Sequence, residues 1–526
     1  MKITKKLVAA LFCVVLAIAL CIPALTACNP NKNKNSEKTL IVGTTTVITS
    51  LNRLDAGSGG NPGYNYDVLS GTVSQLAPVA KNTDGTFEPL LTTYEETDGG
   101  RSWVFTVRNG FTWHDGVAVN ADDLVFTFSD FFGYPDDENG TLSNIEKLSE
   151  RSVKLTLATP NPRFLNSIIA MRVMPKHLLE GKTAKTLSDA DSVVGCGPFK
   201  FSSFDTNSGT LTFVKYGDYP YADQIAFDKV IFKTYGTADV MHLALKSGEI
   251  DMEYNYAKGL DPAAEKDFAG YKGLTLDSYA DESYPMNLFF NNAVVTDPNV
   301  RKAVALAIDY AQIRKLFGTS FASASYKGFA SPATIGYTET AERTLDLDGA
   351  RELLLGAGYT QSDKFAFELL VRADGNYGEV AKVLKTQLEE TGLISVSVKS
   401  QESQTFLSTV MEHKHHACLV KLTAYGVGNQ GGLGSMYFVA TGNAPYANIT
   451  DPDFLRIVNG LKTAATEEEY LSAARDFQMY CAEFTPAISL YNDSVVQVYS
   501  SALSGFRKDG SFGLLNIIGW QTLRKA

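Results

Sequence analysis

Apolar residues in the second half of the chain recur at the spacing of one helix face. After Asp297-Pro298, which suit an N-cap and a first helical position, apolar side chains follow at intervals of three and four. The pattern predicts a helix whose buried face holds Val300, Ala303, Val304, Ala307 and Ile308. Comparable stripes predict helices over residues 346–357, 377–391 and 467–483, and strands over residues 393–398 and 487–491. Each stripe is expected to pack in a core, and none is assigned to a ligand.

The first half of the chain carries strand patterns instead. Residues 103–107 alternate apolar and polar side chains, and a turn signal follows at 115–116. Asn120 fits a helix N-cap, with acidic residues 122–123 in the first helical turn. We interpret His114 and its neighbour as turn residues that satisfy backbone groups, not as a catalytic or metal pair. Strands that alternate with helices later in the chain predict α/β lobes.

The first 28 residues have the order of a secretory signal. Three lysines and no acid precede an apolar run over residues 7–20, which is shorter than the roughly 20 residues of a membrane-spanning helix. The letters LTAC at 25–28 resemble a bacterial lipobox, in which the cysteine is lipidated and the preceding peptide is removed. We predict a signal peptide over 1–27, and a lipidated Cys28 followed by a disordered tether over 28–38. The alternative is an ordinary signal with an incidental cysteine.

Length and charge restrict the remaining possibilities. The chain of 526 residues is too long for one hydrophobic core, so at least two lobes are expected. Its formal net charge is −11 and becomes −14 without the three leader lysines, which argues against nucleic acid as a partner. Beyond Cys28 the chain contains Cys196, Cys418 and Cys481, for which buried thiols are favoured over a single disulfide bridge.

Four segments carry a resemblance to a known family. They are residues 100–128 (GRSWVFTVRNGFTWHDGVAVNADDLVFTF), residues 195–199 (GCGPF), Asn291 with residues 297–303 (DPNVRKA), and residues 346–359 (DLDGARELLLGAGY). In this order they resemble the signature of the family-5 extracellular solute-binding proteins, which are the peptide-, dipeptide- and nickel-type receptors of ABC importers. The resemblance covers the chain from about residue 40 to the C-terminus.

The resemblance implies an α/β, bilobal fold of the periplasmic-binding-protein type (type II, cluster C) with an extra strand-rich domain. It implies a discontinuous first lobe over residues 39–70, 191–286 and 486–526, the extra domain over 71–190, and a second lobe over 287–485. A solute would lie in the cleft between the lobes, which close by hinge motion. The chain would then be an extracytoplasmic monomer, anchored to the bilayer through Cys28, that delivers a small solute or peptide to the permease and ATPase subunits of an importer.

The resemblance also points to ligand contacts in one loop. In peptide-binding members, a loop after a second-lobe strand carries a tryptophan and then an aspartate that pairs with the free amino group of the peptide. The matching loop spans residues 423–435, where Tyr425 stands near the family tryptophan, yet no acid occurs from 423 to 450. A buried ammonium without a charged partner costs several kcal/mol. Asn429 and Gln430 would instead offer neutral hydrogen bonds to a polyol, an amide or a blocked peptide.

Other candidate contacts lie outside this loop. The residues Tyr64, Asn65 and Tyr66 follow a glycine-rich stretch where the family places a first-lobe ligand loop, and tyrosines suit the capture of small solutes. Arg372 could bind a carboxylate bidentately or form a surface ion pair, and Glu402 is the candidate substitute acid.

Metal and catalytic sites find less support in the sequence. The three histidines within residues 413–416 suggest a transition-metal site, but no carboxylate or cysteine completes it by spacing. We predict no catalytic residue, no metal site and no cofactor. A sensing receptor for a peptide or metabolite on the same scaffold, and a nickel or metal-chelate binder, remain open as alternatives. An extracellular hydrolase is not expected, because the chain lacks G-x-S-x-G, H-E-x-x-H and P-loop motifs.

Overall fold

Two large β-sheets and one smaller sheet form the framework of the protein. The structure is a computed structural model that describes residues 38–56, 61–82, 86–135, 141–255, 259–279, 284–330, 332, 334–422, 430–508 and 513–526. The predicted signal peptide, Cys28, Tyr425 and Asn429 lie outside these residues, as does the predicted tether except for its last residue. Of Gln430 only the backbone is described.

The regular elements alternate along the chain. The strands, in chain order, are β1 (Thr39–Thr44), β2 (Val79–Lys81), β3 (Phe87–Pro89), β4 (Thr92–Thr97), β5 (Ser102–Val107), β6 (Leu142–Lys147), β7 (Ser152–Leu157), β8 (Phe199–Asp205), β9 (Thr210–Lys215), β10 (Lys229–Thr234), β11 (Met252–Glu253), β12 (Leu274–Tyr279), β13 (Tyr284–Phe290), β14 (Phe365–Arg372), β15 (Ile394–Gln401), β16 (Ala417–Leu422), β17 (Ala487–Tyr491), β18 (Val495–Ser500), β19 (Leu503–Ser504) and β20 (Arg524–Lys525). The α-helices are α1 (Tyr64–Ser70), α2 (Ala121–Phe132), α3 (Lys176–Leu179), α4 (Asp189–Ser192), α5 (Ala238–Ser247), α6 (Pro262–Phe268), α7 (Pro298–Leu306), α8 (Tyr310–Phe317), α9 (Leu347–Gly356), α10 (Tyr377–Glu389), α11 (Ser403–Met411), α12 (Gln430–Leu433), α13 (Pro452–Thr463) and α14 (Glu467–Phe484).

The first lobe is built on a seven-stranded sheet with the order β12-β18-β11-β1-β10-β9-β8. Its central strand β1 runs parallel to both β10 and β11, so the carboxyl ends of three strands meet at one edge. A four-stranded sheet, in the order β4-β5-β7-β6, packs into the same hydrophobic core as the seven-stranded sheet. The domain boundaries that the resemblance implies for this region, with an extra domain over 71–190, stay predictions.

The second lobe is built on a five-stranded sheet with the order β15-β14-β16-β13-β17. Here β14 runs parallel to β15 and β16. Successive residues of β14 enter two different cores, since Leu369 and Val371 pack on one face of the sheet and Leu370 on the other. Both faces are therefore covered by helices, as expected for a sheet with parallel strands. The predicted bilobal α/β fold is confirmed.

The chain crosses between the two large sheets between β12 and β13, and again between β17 and β18. Residues 492–494 form the second crossing, where Asp493 accepts hydrogen bonds from the backbone N–H (2.9 Å) and the hydroxyl (2.5 Å) of Thr319. Beside it, Glu265 of α6 accepts hydrogen bonds from Ser320, whose backbone N–H lies 2.9 Å away. Because α6 packs on the first sheet and Ser320 follows α8 of the second lobe, these contacts fix the lobes at the crossings.

The helices predicted from apolar periodicity are confirmed, except that α7 ends at Leu306, so the buried Ala307 and Ile308 of its predicted face lie just beyond it. Asp297 and Asp346 cap α7 and α9 by accepting hydrogen bonds from Asn299 (2.8 Å) and Gly349 (2.9 Å). Helix α14, the longest among the described residues, begins with a capping box between Thr466 and Glu469. The strand predicted at 487–491 is β17, and the strand predicted at 393–398 continues to Gln401 as β15.

Two of the segments that resemble the family signature contact each other. Gly195 donates its backbone N–H to Nδ1 of His114 (3.2 Å), and Nε2 of His114 lies 3.0 Å from the carbonyl oxygen of Gly197. Since Nδ1 accepts, Nε2 carries the proton and donates, which assigns a neutral tautomer. The interpretation of His114 as a residue that satisfies backbone groups is confirmed. Burial is the main cause that lowers the pKa of this imidazole to about 4.

Asp123 has a structural role in the same region. It is buried, and its carboxylate accepts hydrogen bonds from Nε1 of Trp113 (3.1 Å), from the backbone of Asn120 (3.0 Å) and from the backbone of Lys176 (2.9 Å). The contacts form a reciprocal capping box, because the side chain of Asn120 in turn accepts hydrogen bonds from the backbone N–H groups at the start of α2. The acidic pair at 122–123 therefore belongs to the helix start, as predicted.

The thiols of Cys196, Cys418 and Cys481 are free and buried, as favoured from the sequence. Burial raises the pKa of all three, and that of Cys196 reaches about 12. Among the residues that the structure describes, no helix combines the length and the apolar character needed to cross a bilayer.

Candidate functional site

The carboxyl ends of parallel strands mark the candidate site in each lobe. In open α/β sheets, ligands bind in the crevice outside these ends. In the second lobe, β14 ends at Arg372 and β16 ends at Leu422, one residue before the loop that the resemblance assigns to the ligand. We call the group formed by Arg372, Tyr377 and Lys421 the second-lobe edge.

The second-lobe edge carries two cations around one aromatic ring. The Arg372 Cζ and the Lys421 Nζ each lie 5.7 Å from the ring centroid of Tyr377. Arg372 is already paired, because its Nε and Nη2 donate to the two carboxylate oxygens of Asp374 at 2.8 and 2.5 Å. This pairing raises the pKa of Arg372 and lowers that of Asp374. The two N–H groups of Arg372 that could have bound a solute carboxylate are thus already bound to Asp374, two residues along the chain.

Lys421 has no such partner among the described residues. Loss of hydration is the main cause that lowers its pKa, and Arg372 acts in the same direction. The carboxylates of Asp261 and Asp374 act in the opposite direction. The side chain of Lys421 is exposed on its strand, and an exposed ammonium that lacks an ion pair can accept an anionic group from outside.

Asp261 brings the first lobe to this position. It is the N-cap of α6, where its Oδ1 accepts a hydrogen bond from the backbone of Ala263 (2.9 Å). Its charge acts on Lys421 and also on Tyr491, at the end of β17. Because α6 packs on the first sheet, a first-lobe carboxylate acts on the charge of the second-lobe edge.

Hydroxyl and amide groups lie at the carboxyl ends of the first-lobe strands. Asn255, which follows β11, accepts with Oδ1 from the hydroxyl of Thr44 (3.3 Å) and from the backbone N–H and hydroxyl of Thr45 (both 2.9 Å). These residues lie at the carboxyl ends of β1 and β11, and we call them the first-lobe edge. A polar solute between the two edges would meet hydroxyl and amide groups and the carboxylate of Asp261 on the first-lobe side, and cations on the other.

The predicted first-lobe contacts divide into two groups. Tyr64 is half-buried, and the pKa of its hydroxyl is raised by loss of hydration and by Asp67. Asn65 donates to the carbonyl oxygen of Val47 (2.6 Å), which ties α1 to the loop after β1. Tyr66 is fully buried in the first core, which places it away from the cleft surface. The apolar residues of α1 form a buried face of the helix, and Tyr66 is part of that face.

Glu402 lies at the same end of the five-stranded sheet as the second-lobe edge. It follows β15, where Gln401 stands in register with Arg372, and its side chain is exposed. It precedes α11 and makes no capping hydrogen bond there. Its part in ligand binding stays a prediction, as do those of Tyr425, Asn429 and Gln430.

The histidines of residues 413–416 point to different partners. Nε2 of His415 lies 2.8 Å from the carbonyl oxygen of Tyr446, and Nδ1 of His416 accepts from the backbone of Glu368 (3.2 Å). His413 has a positive φ of 56°, at the turn before β16. In the part of the chain that the structure describes, no group of three or more histidine, cysteine or acidic residues could hold a metal ion.

A cavity of about 200 Å³ lies elsewhere, inside the second lobe. It is lined by residues of α8, of the segments 323–325 and 342–345, and of β17. All of them belong to one lobe, so this cavity is separate from the space between the two edges.

Sequence reasoning did not single out Lys421, Asp261 or Asn255. Lys421 could have been found, because it is the one charged residue in the apolar strand that precedes the predicted ligand loop. Asp261 and Asn255 carried no comparable signal, since their positions depend on how two distant segments meet.

Comparisons with known proteins agree with the arrangement of the two lobes. The model of the bacterial extracellular solute-binding proteins, family 5 Middle, matches residues 86–444. The oligopeptide-binding protein AppA of Bacillus subtilis is 24% identical over 417 residues, which cover 72% of this chain and 73% of AppA. The di/tripeptide-binding protein 1 of Pseudomonas aeruginosa is 24% identical over 490 residues, covering 85% and 88%. The crystal structure of the ABC transporter substrate-binding protein CtaP from Listeria monocytogenes superposes with a TM-score of 0.79 at 21% identity, covering 93% of this chain and all of CtaP.

Proposed function

The chain belongs to family 5 of the bacterial extracellular solute-binding proteins, and we propose that it is a lipid-anchored receptor that captures a small solute between its lobes for an ABC importer. The solute, an oligopeptide or a related compound, would be held between the first-lobe edge and the second-lobe edge. One observation carries this proposal above the others. Lys421, beside the ring of Tyr377 at the carboxyl end of a second-lobe strand, lacks an ion pair among the described residues.

The charges of the two edges favour a solute with a free carboxylate. Lys421 offers an ammonium for it, whereas Arg372 already holds Asp374. The loop after β16 has no acid that could hold the amino group of a peptide. We therefore expect a carboxylate on the second-lobe side and neutral polar groups facing Thr45 and Asn255. Two relatives are named for binding oligopeptides and di- or tripeptides, which is consistent with this chemistry.

Replacing Lys421 with methionine should weaken binding of a carboxylate-bearing solute by about ten- to a hundredfold. A hydrogen bond to a charged group contributes about 1.5–3 kcal/mol, and methionine keeps the apolar stem of the lysine. The compound that copurifies with the protein would be identified by mass spectrometry and titrated by calorimetry. Lys399→Met is the matched control, because Lys399 lies on the same sheet and is paired with Glu368 at 3.3 Å.

The same titration can test both ends of a peptide. N-acetylated tripeptides should bind as well as free ones, and C-terminally amidated tripeptides should bind as weakly to the wild type as free ones bind to Lys421→Met. Unchanged affinity of Lys421→Met, or a strict requirement for a free amino group, would show that the solute is held in another way.

Import rather than sensing is tested in cells. Deletion of the gene should abolish uptake of the identified compound, and the full-length wild-type chain should restore it. If uptake persists while a transcriptional response to the compound is lost, the protein is a sensor.

A further inference from the structure

Arg163 joins the two lobes at a point that is separate from the chain crossings. It directly precedes the 3₁₀ turn Phe164–Ser167, and Phe164 packs in the core that the four-stranded sheet shares with the first lobe. Its guanidinium carbon lies 3.6 Å from the ring centroid of Tyr470 in α14 of the second lobe, and its Nη2 donates a hydrogen bond to Glu467. The residues are about 300 positions apart in the sequence, so the contact exists only through the arrangement of the lobes.

The contact between Arg163 and Tyr470 is largely shielded from water. The side chain of Arg163 is 17% exposed, and Tyr470 is 3% exposed and belongs to a core of the second lobe. A cation stacked on an aromatic face gains more when both are shielded from water. Glu467 is 57% exposed, so its ion pair with Arg163 is screened and adds less than the stacking.

Both partners are held by rigid structure. Asn161 accepts a hydrogen bond from the backbone of Arg163 (2.9 Å), and the adjacent Phe164 is buried with its ring stacked on Phe132. On the other side, the capping box of Thr466 and Glu469 fixes the first turn of α14. Because these contacts attach each partner to its own side, separation of the lobes would break the contact between Arg163 and Tyr470.

We propose that Arg163 and Tyr470 act as a latch that holds the lobes in the arrangement of this structure, and that this arrangement is the closed one that traps the solute. The proposal rests on the proposed function, in which closure traps the solute. If only the closed form holds the solute firmly, the apparent dissociation constant is the intrinsic constant divided by the closed fraction. Arg163 is then a positioning residue that sets the affinity for every solute of the receptor without touching any of them.

The latch predicts a change in the lobe distance of the full-length protein without any solute. Spin labels on p-acetylphenylalanine in place of Glu150 and Asp453, whose side chains are 90% and 79% exposed, would report this distance by pulsed electron resonance. The wild type should give one predominant distance, and Arg163→Gln should add a longer one. Tyr470→Leu should act like Arg163→Gln, whereas Tyr470→Phe and Arg163→Lys should keep most of the shorter distance.

A matched control separates the latch from general damage. Arg101→Gln changes an arginine of the same strand-rich region whose guanidinium donates to Ala158 within the first lobe, so the distance should not change. With the copurified compound, dissociation from Arg163→Gln should be at least about threefold faster at an unchanged melting temperature.

The two proposals fail in different ways. Identical distance distributions for the wild type and Arg163→Gln would overturn the latch, whatever the protein binds. If the distances shift but no solute binds to either protein, the latch stands as a contact between lobes and the receptor function fails.

Discussion

Replacing Cys28 with alanine should move the protein from the membrane fraction to the soluble fraction. The chain's LTAC sequence at 25–28 predicts a diacylated cysteine, and two acyl chains anchor a protein stably whereas one gives only marginal binding. Without Cys28 no acyl chain would be attached, and the exported body would be released. Fractionation of cells that produce each variant, followed by immunoblotting, measures the effect.

Cys21→Ala is the matched control for this release. Cys21 lies in the predicted signal peptide, so its replacement should leave the mature protein on the membrane. Metabolic labelling with a palmitate analogue should mark the wild type and Cys21→Ala but not Cys28→Ala. Membrane retention of Cys28→Ala would show that the anchor is elsewhere.

The second large effect concerns acid stability and His114. Its pKa is about 4 in the folded protein and near 6.5 when unfolded, mainly because burial disfavours the charged imidazole. The unfolded state then binds more protons between these values, so stability rises with pH across that window. The contribution of neutral His114 is fully present above pH 6.5 and is lost as the pH falls toward 4, by about 3 kcal/mol at most.

Comparison with His114→Gln isolates this contribution. Glutamine keeps a donor and an acceptor for the backbone of residues 195–197 but does not titrate. Urea unfolding can be followed by tryptophan fluorescence, because the three tryptophans of the chain, Trp103, Trp113 and Trp520, all lie in the first core. From pH 7 to pH 4, the wild type should lose about 3 kcal/mol more than His114→Gln. Parallel pH profiles of the two proteins would refute the role of His114.

The sequence predicted the elements that depend on local chemistry. Asp297-Pro298 and Asp346 begin helices because their side chains satisfy free N–H groups within the same turn. The role of His114 was predictable in kind, since turn residues next to glycine commonly satisfy the backbone. Its partners, at 195 and 197, were not, because they are about 80 residues away.

The candidate site was less predictable than the fold. Tyr66 was expected in the cleft from its position in the sequence. One face of α1 is buried, however, and Tyr66 lies on that face. Asp374 binds Arg372 and so competes with a solute carboxylate for it. This pairing was predictable, because the two residues are only two positions apart in the sequence. The charge of Asp261 acts on Lys421 only because α6 packs against the far end of the chain, which the sequence near either residue does not indicate.

The two edges together suggest how affinity and specificity are divided. The edges would choose the solute by charge and hydrogen bonding, at Lys421 on one side and at Thr45 and Asn255 on the other. The contact of Arg163 with Tyr470 would set how much of the protein is closed. Changes at the edges should therefore alter the order of preference among solutes, whereas changes at Arg163 should scale all affinities alike.

A crystal structure of the protein with its copurified compound would test the central claim most directly. We expect the compound to lie between the two lobes, with a carboxylate within hydrogen-bonding distance of Lys421 and neutral polar atoms next to Thr45 or Asn255. A compound bound outside the space between the first-lobe edge and the second-lobe edge, or one that does not contact Lys421, would contradict it.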